Sequence, residues 1–569
     1  MSPSIINGVF PGLLNSPVVQ VELLLVLAAL ALGFGRFQLK TIDCLFRRCS
    51  KHPTRAFVLS SALALTLHAL AWPMMVRRAP QVHDEFSYLL SADTFLHGSL
   101  ANPHHPLWRS FETAHVLFWP NYASMYPPAQ GLLLAGGRFL LGDFLAGPWL
   151  ATALLAGLTG WMLAAWVPRR WALSGAFLVA LRFGVFSYWG NSYWGGAVAA
   201  IGGTLLFGGL PRVLMRGKCR DAALASAGLV LLAASRPFEG LLATIAAMLA
   251  SVAVREMNFR GWRPALPAIA TAALVLSLGG AGLLYYNWRV TGNPLVLGYT
   301  LSMQRYGLAV FPWQSTIATN PPLNHNLKEF YESQHELFRT YQTIAGFLAL
   351  RLFAFGKFWA FFLGPMLTLP FLGIPALGYS HRWRWILAAG VFYATGLALN
   401  PWFLPHYGAP AMGLLLLALI QAARMLAAAK VGGRRPFQFA IRALPVICAG
   451  VSLFRATMPV LHLQLPTDLF EMSWYATPPG NQDRAAVQNH LEHERGRHLV
   501  LVSYGRDHLA TIEWVYNEAR IDESKVVWAH DLDPETNARL LSYYRDRRVW
   551  RLNVDANPRQ PVEQVSPRQ

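Results

Sequence analysis

The chain reads as a polytopic α-helical membrane protein, with about twelve transmembrane helices followed by a small α/β domain at the C-terminus. Three observations predict this. Of 569 residues, 54% are apolar and only 14% charged, where an ordinary soluble domain carries about 25% charged residues. Apolar runs of about 20 residues, the length a helix needs to cross hydrocarbon, recur through most of the sequence. Beyond Leu461 the composition turns to that of a soluble unit.

Charge divides the same way. Residues 1–459 hold 35 Lys and Arg against 13 Asp and Glu, whereas 460–569 hold 13 against 16. The cationic excess sits in short loops between apolar runs, which cytoplasmic retention of Lys and Arg explains better than a nucleic-acid partner. No nucleic acid is expected. Cys44, Cys49, Cys219 and Cys448 read as free thiols, without a disulfide framework.

The first apolar run, 18–35, lacks a basic leader and a small-residue cleavage site, so it is expected to stay as a helix after an uncharged leader that crosses outward. Arg36, Lys40, Arg47, Arg48, Lys51 and Arg55 then fix the cytoplasmic side. Spans near 56–76, 147–167, 171–188, 195–214, 221–235, 238–254, 265–286, 358–379, 384–400, 407–427 and 440–460 alternate from that anchor. Five basic loops, at Arg169/Arg170, Arg212–Arg220, Arg255–Arg263, Arg382/Arg384 and Arg424–Arg442, fall on the same side.

The expected domains are a membrane unit, 1–460, and a soluble outer unit, 461–569. Two outer loops, 77–146 and 287–357, are too long to be connectors. Within the first, Gly131–Leu141 is expected as an amphipathic or re-entrant helix along the interface. The tail predicts strands at 499–504, 526–530 and 549–554, with helix-like stretches at 508–519 and 534–545. It has no glycine-rich phosphate loop, so a lid or stabilising role is the default.

Polar motifs gather at the outer ends of the helices. His83-Asp84-Glu85 opens the first loop, and Tyr126-Pro127-Pro128 closes its polar part. Asp84 and Glu85 are read either as a solvated helix-capping pair or as a general base taking a proton from an acceptor hydroxyl. Arg236 and Glu239 either pair with each other or place Arg236 in a cavity. Tyr193 and Trp194, in the Tyr/Trp repeat 188–194, are read as an interfacial aromatic belt or as a stacking surface for sugar. His83, His104, His105 and His115, with Asp84 and Asp93, leave a divalent cation open, but His104-His105 lacks one-turn spacing and a metal-free centre is favoured.

With the carboxylate motif opening a large first loop, the Pro-Pro segment, and the phrases YWGNSYWGG, SRPFEG, NWRVTGNP and PHYGAPA, the chain resembles the GT-C membrane glycosyltransferases. The likeness runs over about 56–427 and is nearest the protein mannosyltransferase and aminoarabinose transferase branch with its uncharacterised bacterial members. It implies a multi-pass protein of the bacterial inner membrane, with its active site and C-terminal domain facing the periplasm. It implies a polyprenyl-phosphate-linked sugar as donor, a periplasmic acceptor and inversion at the anomeric carbon; the chemistry fits the residue inventory without a cofactor, with a divalent cation left open. Asp84 becomes the base with Glu85 beside it, while Arg289, His406 and Tyr407 face the donor phosphate. An additional first helix and a different tail depart from the family pattern, so the acceptor class does not transfer.

The departing phosphate monoester needs fixed positive charge more than a general acid. Arginine supplies it in bidentate form. Arg138, Arg289 and Arg305 are the candidates, each equally readable as an interface anchor. The expected activity is hexosyl or pentosyl transfer from an undecaprenyl-phosphate donor to a glycan, lipid or protein. The alternatives are a multi-pass transporter, against which the absence of an internal repeat argues, and a non-catalytic assembly partner acting through its tail.

Overall fold

The computed structural model describes residues 16–34, 40–75, 77–255, 265–314, 318–319, 324–458, 461–463, 474, 479–556 and 563–565. The leader 1–15, Arg36, most of the Arg255–Arg263 loop and most of the junction 464–478 lie outside the described residues.

Eight helical segments among the described residues are long and apolar enough to cross a bilayer: Pro53–Ala71, Ala146–Leu163, Ala197–Arg216, Pro237–Val254, Leu266–Thr291, Ile344–Tyr379, Ala409–Ala428 and Gln438–Thr457. The other four expected spans are helical but weaker. Pro17–Phe34 and Cys219–Ala233 have 18 and 15 residues. Arg169–Val179 opens on two arginines and runs into the π-helix Ala180–Gly184, and His381–Ala398 begins with three basic residues in four. A further correction concerns the second long loop, because helix begins at Ile344 and not near 358.

The helices pack through small residues, as membrane helices do where backbones approach closely. A Cβ on Gly203 would lie 1.8 Å from the Pro410 carbonyl oxygen. Helix Ala197–Arg216 therefore touches the turn at 409–411 backbone to backbone, and this contact brings two of the sequence motifs together. Leu266–Thr291 has only 6% of its apolar window buried, which places it at the rim of the bundle.

The first long loop is folded. It contains helix His83–Leu96, a hairpin pairing Val116–Leu117 with Ala123–Ser124, and helix Pro128–Leu141. Pro128 occupies the first helical position, where the missing N–H costs nothing. The helix expected at 131–141 thus forms, with Leu134 packed inward and Phe139, Leu140 and Leu141 exposed.

The C-terminal region carries a four-stranded sheet in the order Val526–His530, Arg497–Ser503, Arg547–Asn553, Glu563–Val565, with the first three parallel and the last antiparallel. Alternation along the strands sorts two cores. Leu499 and Leu501 pack with Phe111, Val116 and Phe118 of the first loop, while Val500 and Val502 pack with Leu491 of helix Gln482–His493. That helix was not foreseen; its N-terminus is capped by Asn481. The helix expected over 508–519 does not form, because Ile512 pairs with Val82 and the Glu513 N–H bonds the Gln81 carbonyl at 3.1 Å. Tertiary pairing overrides local helical pattern there.

Candidate active site

Asp84 lies in the first turn of helix His83–Leu96, where unpaired N–H groups and the helix dipole favour a carboxylate. Its side chain keeps 29% exposure among buried neighbours. The Tyr126 hydroxyl donates to Oδ1. His115 Nδ1 stands 3.4 Å from Oδ2 and 3.2 Å from the Tyr126 hydroxyl, closing a triangle. The hairpin aims His115: its φ is +63°, and its carbonyl accepts from Ser87 Oγ at 2.7 Å and Met125 N at 3.2 Å. Tyr126 stacks on Tyr88 at 4.3 Å, one turn beyond Asp84, and meets the edge of Tyr299 at 5.3 Å.

These neighbours decide protonation. Burial opposes ionisation of Asp84, but the adjoining His115 imidazole and the Tyr126 hydroxyl outweigh it and hold the carboxyl well below the usual carboxylate range. Burial and then the Asp84 charge push Tyr126 far above its ordinary value, so it keeps its proton and acts as a donor.

Glu85, expected to share the site, is turned elsewhere. Consecutive helical residues diverge by about 100°, and Glu85 is fully buried against Arg78 at 3.0 Å, Gln81 N at 3.0 Å and Tyr193 N at 3.4 Å. It anchors the loop.

The PHYGAPA phrase forms two tight turns ahead of helix Met412–Ala428. His406 is buried, with Nδ1 3.0 Å from the Tyr188 hydroxyl and its ring 5.6 Å from Trp194. It lies within electrostatic reach of Asp84, Arg236 and Lys357. Burial, reinforced by Arg236, pushes His406 well below its ordinary value, so the imidazole is neutral and orients by hydrogen bonding. Fixed positive charge therefore falls to Arg236, whose guanidinium sits 4.8 Å over the Tyr407 ring, and to Lys357. Lys357 was missed from sequence. The signal that marks it is a solitary lysine in the apolar stretch Phe353–Leu363.

The remaining expected arginines stand apart. Arg138 is exposed and donates to the Gly142 carbonyl of its own helix end. Arg289 is exposed and donates to the Tyr285 hydroxyl at 3.3 Å. Arg305 lies 4.5 Å over Trp108, beside Glu112. The NWRVTGNP phrase holding Arg289 is a helix terminus, where Gly292 takes φ +79° and Thr291 Oγ1 bonds the Asn287 carbonyl at 2.9 Å.

The YWGNSYWGG phrase, expected in part as an interfacial belt, is buried throughout. A Cβ on Gly196 would fall 2.1 Å from Trp189 Nε1, so glycine lets the indole lie against the backbone. Tyr193 donates to the Arg78 carbonyl at 3.0 Å, on the Glu85 side, whereas Trp194 faces His406. The loop histidines also separate. His104 bonds the Phe118 carbonyl and His105 bonds Asp522, leaving His83 and His115 side by side at 6.1 Å.

Beyond Tyr407 the surroundings become apolar. Tyr393, whose hydroxyl donates to the Tyr407 carbonyl at 2.7 Å, lines a cavity of about 500 Å³ between helices Ile344–Phe358, His381–Ala398 and Met412–Ala428. Phe355, Phe358, Leu387 and Val391 are among its walls, and Gly408 brings it to the His406–Tyr407 turn. Among the described residues, Arg351 is the one charged side chain in the wall.

No family model matches the chain, and no curated protein matches it in sequence. Solved structures do resemble it. The Archaeoglobus fulgidus oligosaccharyltransferase in complex with Zn and sulfate aligns at TM-score 0.43 and 13% identity, over 87% of this chain and 67% of that one. ArnT from Cupriavidus metallidurans aligns in its apo state at TM-score 0.43 and 14% identity, over 87% of this chain and 92% of that one. Bound to undecaprenyl phosphate, ArnT gives TM-score 0.41 and 14% identity, over 88% and 90%. No residue role follows from likenesses of this degree.

Proposed function

We propose that the chain is an integral-membrane glycosyltransferase that moves a sugar from a polyprenyl-phosphate donor to an extracytoplasmic acceptor, a glycan, lipid or protein, with inversion. One observation carries this reading. An ionised carboxylate, Asp84, shares an electrostatic neighbourhood with His406, Arg236 and Lys357, and that neighbourhood adjoins an apolar cavity through Tyr407 and Tyr393.

Each part has a task. The polyprenyl chain lies in the cavity, where each buried methylene contributes about 0.8 kcal/mol. Arg236 and Lys357 face the phosphate. The acceptor hydroxyl gives its proton to Asp84 as its oxygen bonds the anomeric carbon, and the bond from that carbon to the phosphate oxygen breaks. Charge developing on the leaving phosphate is met by the fixed cations, so no general acid is needed. A single displacement inverts the centre. In this reading the protein sits in a bacterial inner membrane, with the loop 77–146 and the C-terminal unit in the periplasm.

The test offers the reconstituted full chain a set of undecaprenyl-phosphate-linked hexoses and pentoses, in the presence of periplasmic extract, and scores release of undecaprenyl phosphate. Release from at least one supports the reading. No release from any, with solute uptake into the vesicles instead, favours a transporter.

A further inference from the structure

The C-terminal unit takes no part in the chemistry above, yet it grips the residue preceding the base. His83 is 2% exposed, and both ring nitrogens are engaged. Nε2 stands 2.9 Å from the Ala510 carbonyl, which can only accept, so this nitrogen carries its hydrogen. Nδ1 is 3.1 Å from Thr113 Oγ1 and 3.3 Å from Glu513 Oε2.

Glu513 is itself 1% exposed and fully engaged. Its Oε2 accepts from the Thr113 hydroxyl at 2.6 Å, and its Oε1 accepts from the Tyr504 hydroxyl at 2.6 Å and from the N–H groups of Trp514 and Val515 at 2.8 and 2.7 Å. The backbone joins in: Ile512 pairs antiparallel with Val82, the Glu513 N–H bonds the Gln81 carbonyl, and the Ala79 N–H bonds the Pro479 carbonyl at 2.8 Å. The strand-like entry to the helix bearing Asp84 is thus held from the far end of the sequence. The His83 ring also contacts Phe330 at 4.8 Å, and Phe330 contacts His115, the partner of Asp84, at 5.6 Å.

We propose that Glu513 is a positioning residue for the transfer reaction: it fixes His83, and through the His83 backbone and the Phe330 ring it sets Asp84 and His115, so that the C-terminal unit is part of the catalytic centre. This rests on the reading of Asp84 as the base. A plain docking contact would affect stability and leave turnover alone. A positioning contact affects turnover, since a displacement of about 1 Å in a reacting group costs about a hundredfold in rate.

The test uses the full chain in proteoliposomes, with Glu513→Gln and His83→Gln, singly and combined. It reads turnover on undecaprenyl-phosphate-linked sugars, donor KM, and amide hydrogen exchange over 79–90. Glu513→Gln should lower kcat about ten- to hundredfold, with donor KM within about twofold. It should speed exchange over 79–90 while exchange over 412–428 stays as in the unaltered chain. The double variant should lose no more than the worse single, as members of one unit do. Should fast exchange over 412–428 reveal misfolding, Thr113→Val, which removes only the bridging hydroxyl, takes its place. Unaltered turnover, or a loss confined to KM, overturns the proposal, and so does unaltered exchange over 79–90. If the unsubstituted chain releases no undecaprenyl phosphate while exchange over 79–90 still rises in Glu513→Gln, the glycosyltransferase reading fails and the grip of Glu513 on the Asp84 segment stands.

Discussion

The Tyr126 hydroxyl donates a hydrogen bond to the Asp84 carboxylate across 42 positions of sequence, joining the two ends of the first long loop. Hydrogen bonds to charged groups contribute about 1.5–3 kcal/mol. Since this one favours the ionised form, Tyr126→Phe should raise the Asp84 pKa and move the acid limb of the pH–rate profile upward. It should also lower kcat about tenfold, because the carboxylate loses one of the two groups that orient it. An unmoved acid limb would separate Tyr126 from the base.

Arg236 and Arg289 make opposite predictions. Arg236 is buried over Tyr407 within reach of His406, whereas Arg289 is exposed against Tyr285. Arg236→Ala should reduce kcat/KM by about 10²–10³, the scale on which removal of a charge-stabilising donor acts. Arg236→Lys should recover part of it, since lysine keeps the charge and loses the planar stack. Arg289→Ala should stay within about twofold of the unaltered chain. Steady-state kinetics with varied donor decides between them.

The apolar cavity offers a steric test. Gly390 lines it, and a Cβ there meets no atom within 4 Å. Gly390→Leu should therefore fill space without straining the fold and remove a gap worth about three methylenes to the lipid, each contributing about 0.8 kcal/mol. Donor KM for an undecaprenyl carrier should rise at least about tenfold, while a short-chain prenyl analogue is little affected. Equal effects on both would place the lipid elsewhere.

Stability should depend on pH in a stated direction. Burial lowers the pKa values of His406 and His530 in the folded chain, against about 6.5 in the unfolded one. Below pH of about 6.5 the unfolded chain takes up protons that the folded chain refuses, so stability falls as pH drops through that value and is flat above it. Asp84 and Glu513, whose folded pKa values are depressed, withdraw stability only at still lower pH. Thermal unfolding in detergent at pH 8, 7, 6 and 5 should show the midpoint falling between 7 and 5, with a shallower fall in His406→Gln. A midpoint that rises on acidification would contradict the buried neutral histidines.

The helices were legible because hydrophobic length is a local property, and each expected span coincides with a helix even where it falls short of a full crossing. The place of Asp84 was legible too, at the start of a helix just past a span; its role as base is the proposal. What could not be read was direction. An arginine at the outer end of a helix has the same sequence signature whether it is buried over a tyrosine ring, as Arg236 is, or lies on the surface, as Arg289 and Arg138 do; helix phase and packing decide. Adjacent Asp84 and Glu85 look alike on paper, yet one turn geometry sends Glu85 to Arg78. Residues 508–519 have a helical pattern that loses to pairing with a segment more than 400 positions earlier, a contact without local trace. The YWGNSYWGG phrase carried a cue in Gly196, since a glycine beside aromatic residues marks close approach of ring and backbone.

Whether Asp84 is the base is tested most directly by comparing release of undecaprenyl phosphate from an undecaprenyl-phosphate-linked sugar by the unaltered chain and by Asp84→Asn in matched proteoliposomes, with binding of undecaprenyl phosphate measured alongside. Asparagine keeps the shape and cannot take the proton. Release should be at least about 10²-fold slower in the variant, with undecaprenyl phosphate bound equally well. Equal release by both would contradict the assignment of Asp84 as the base.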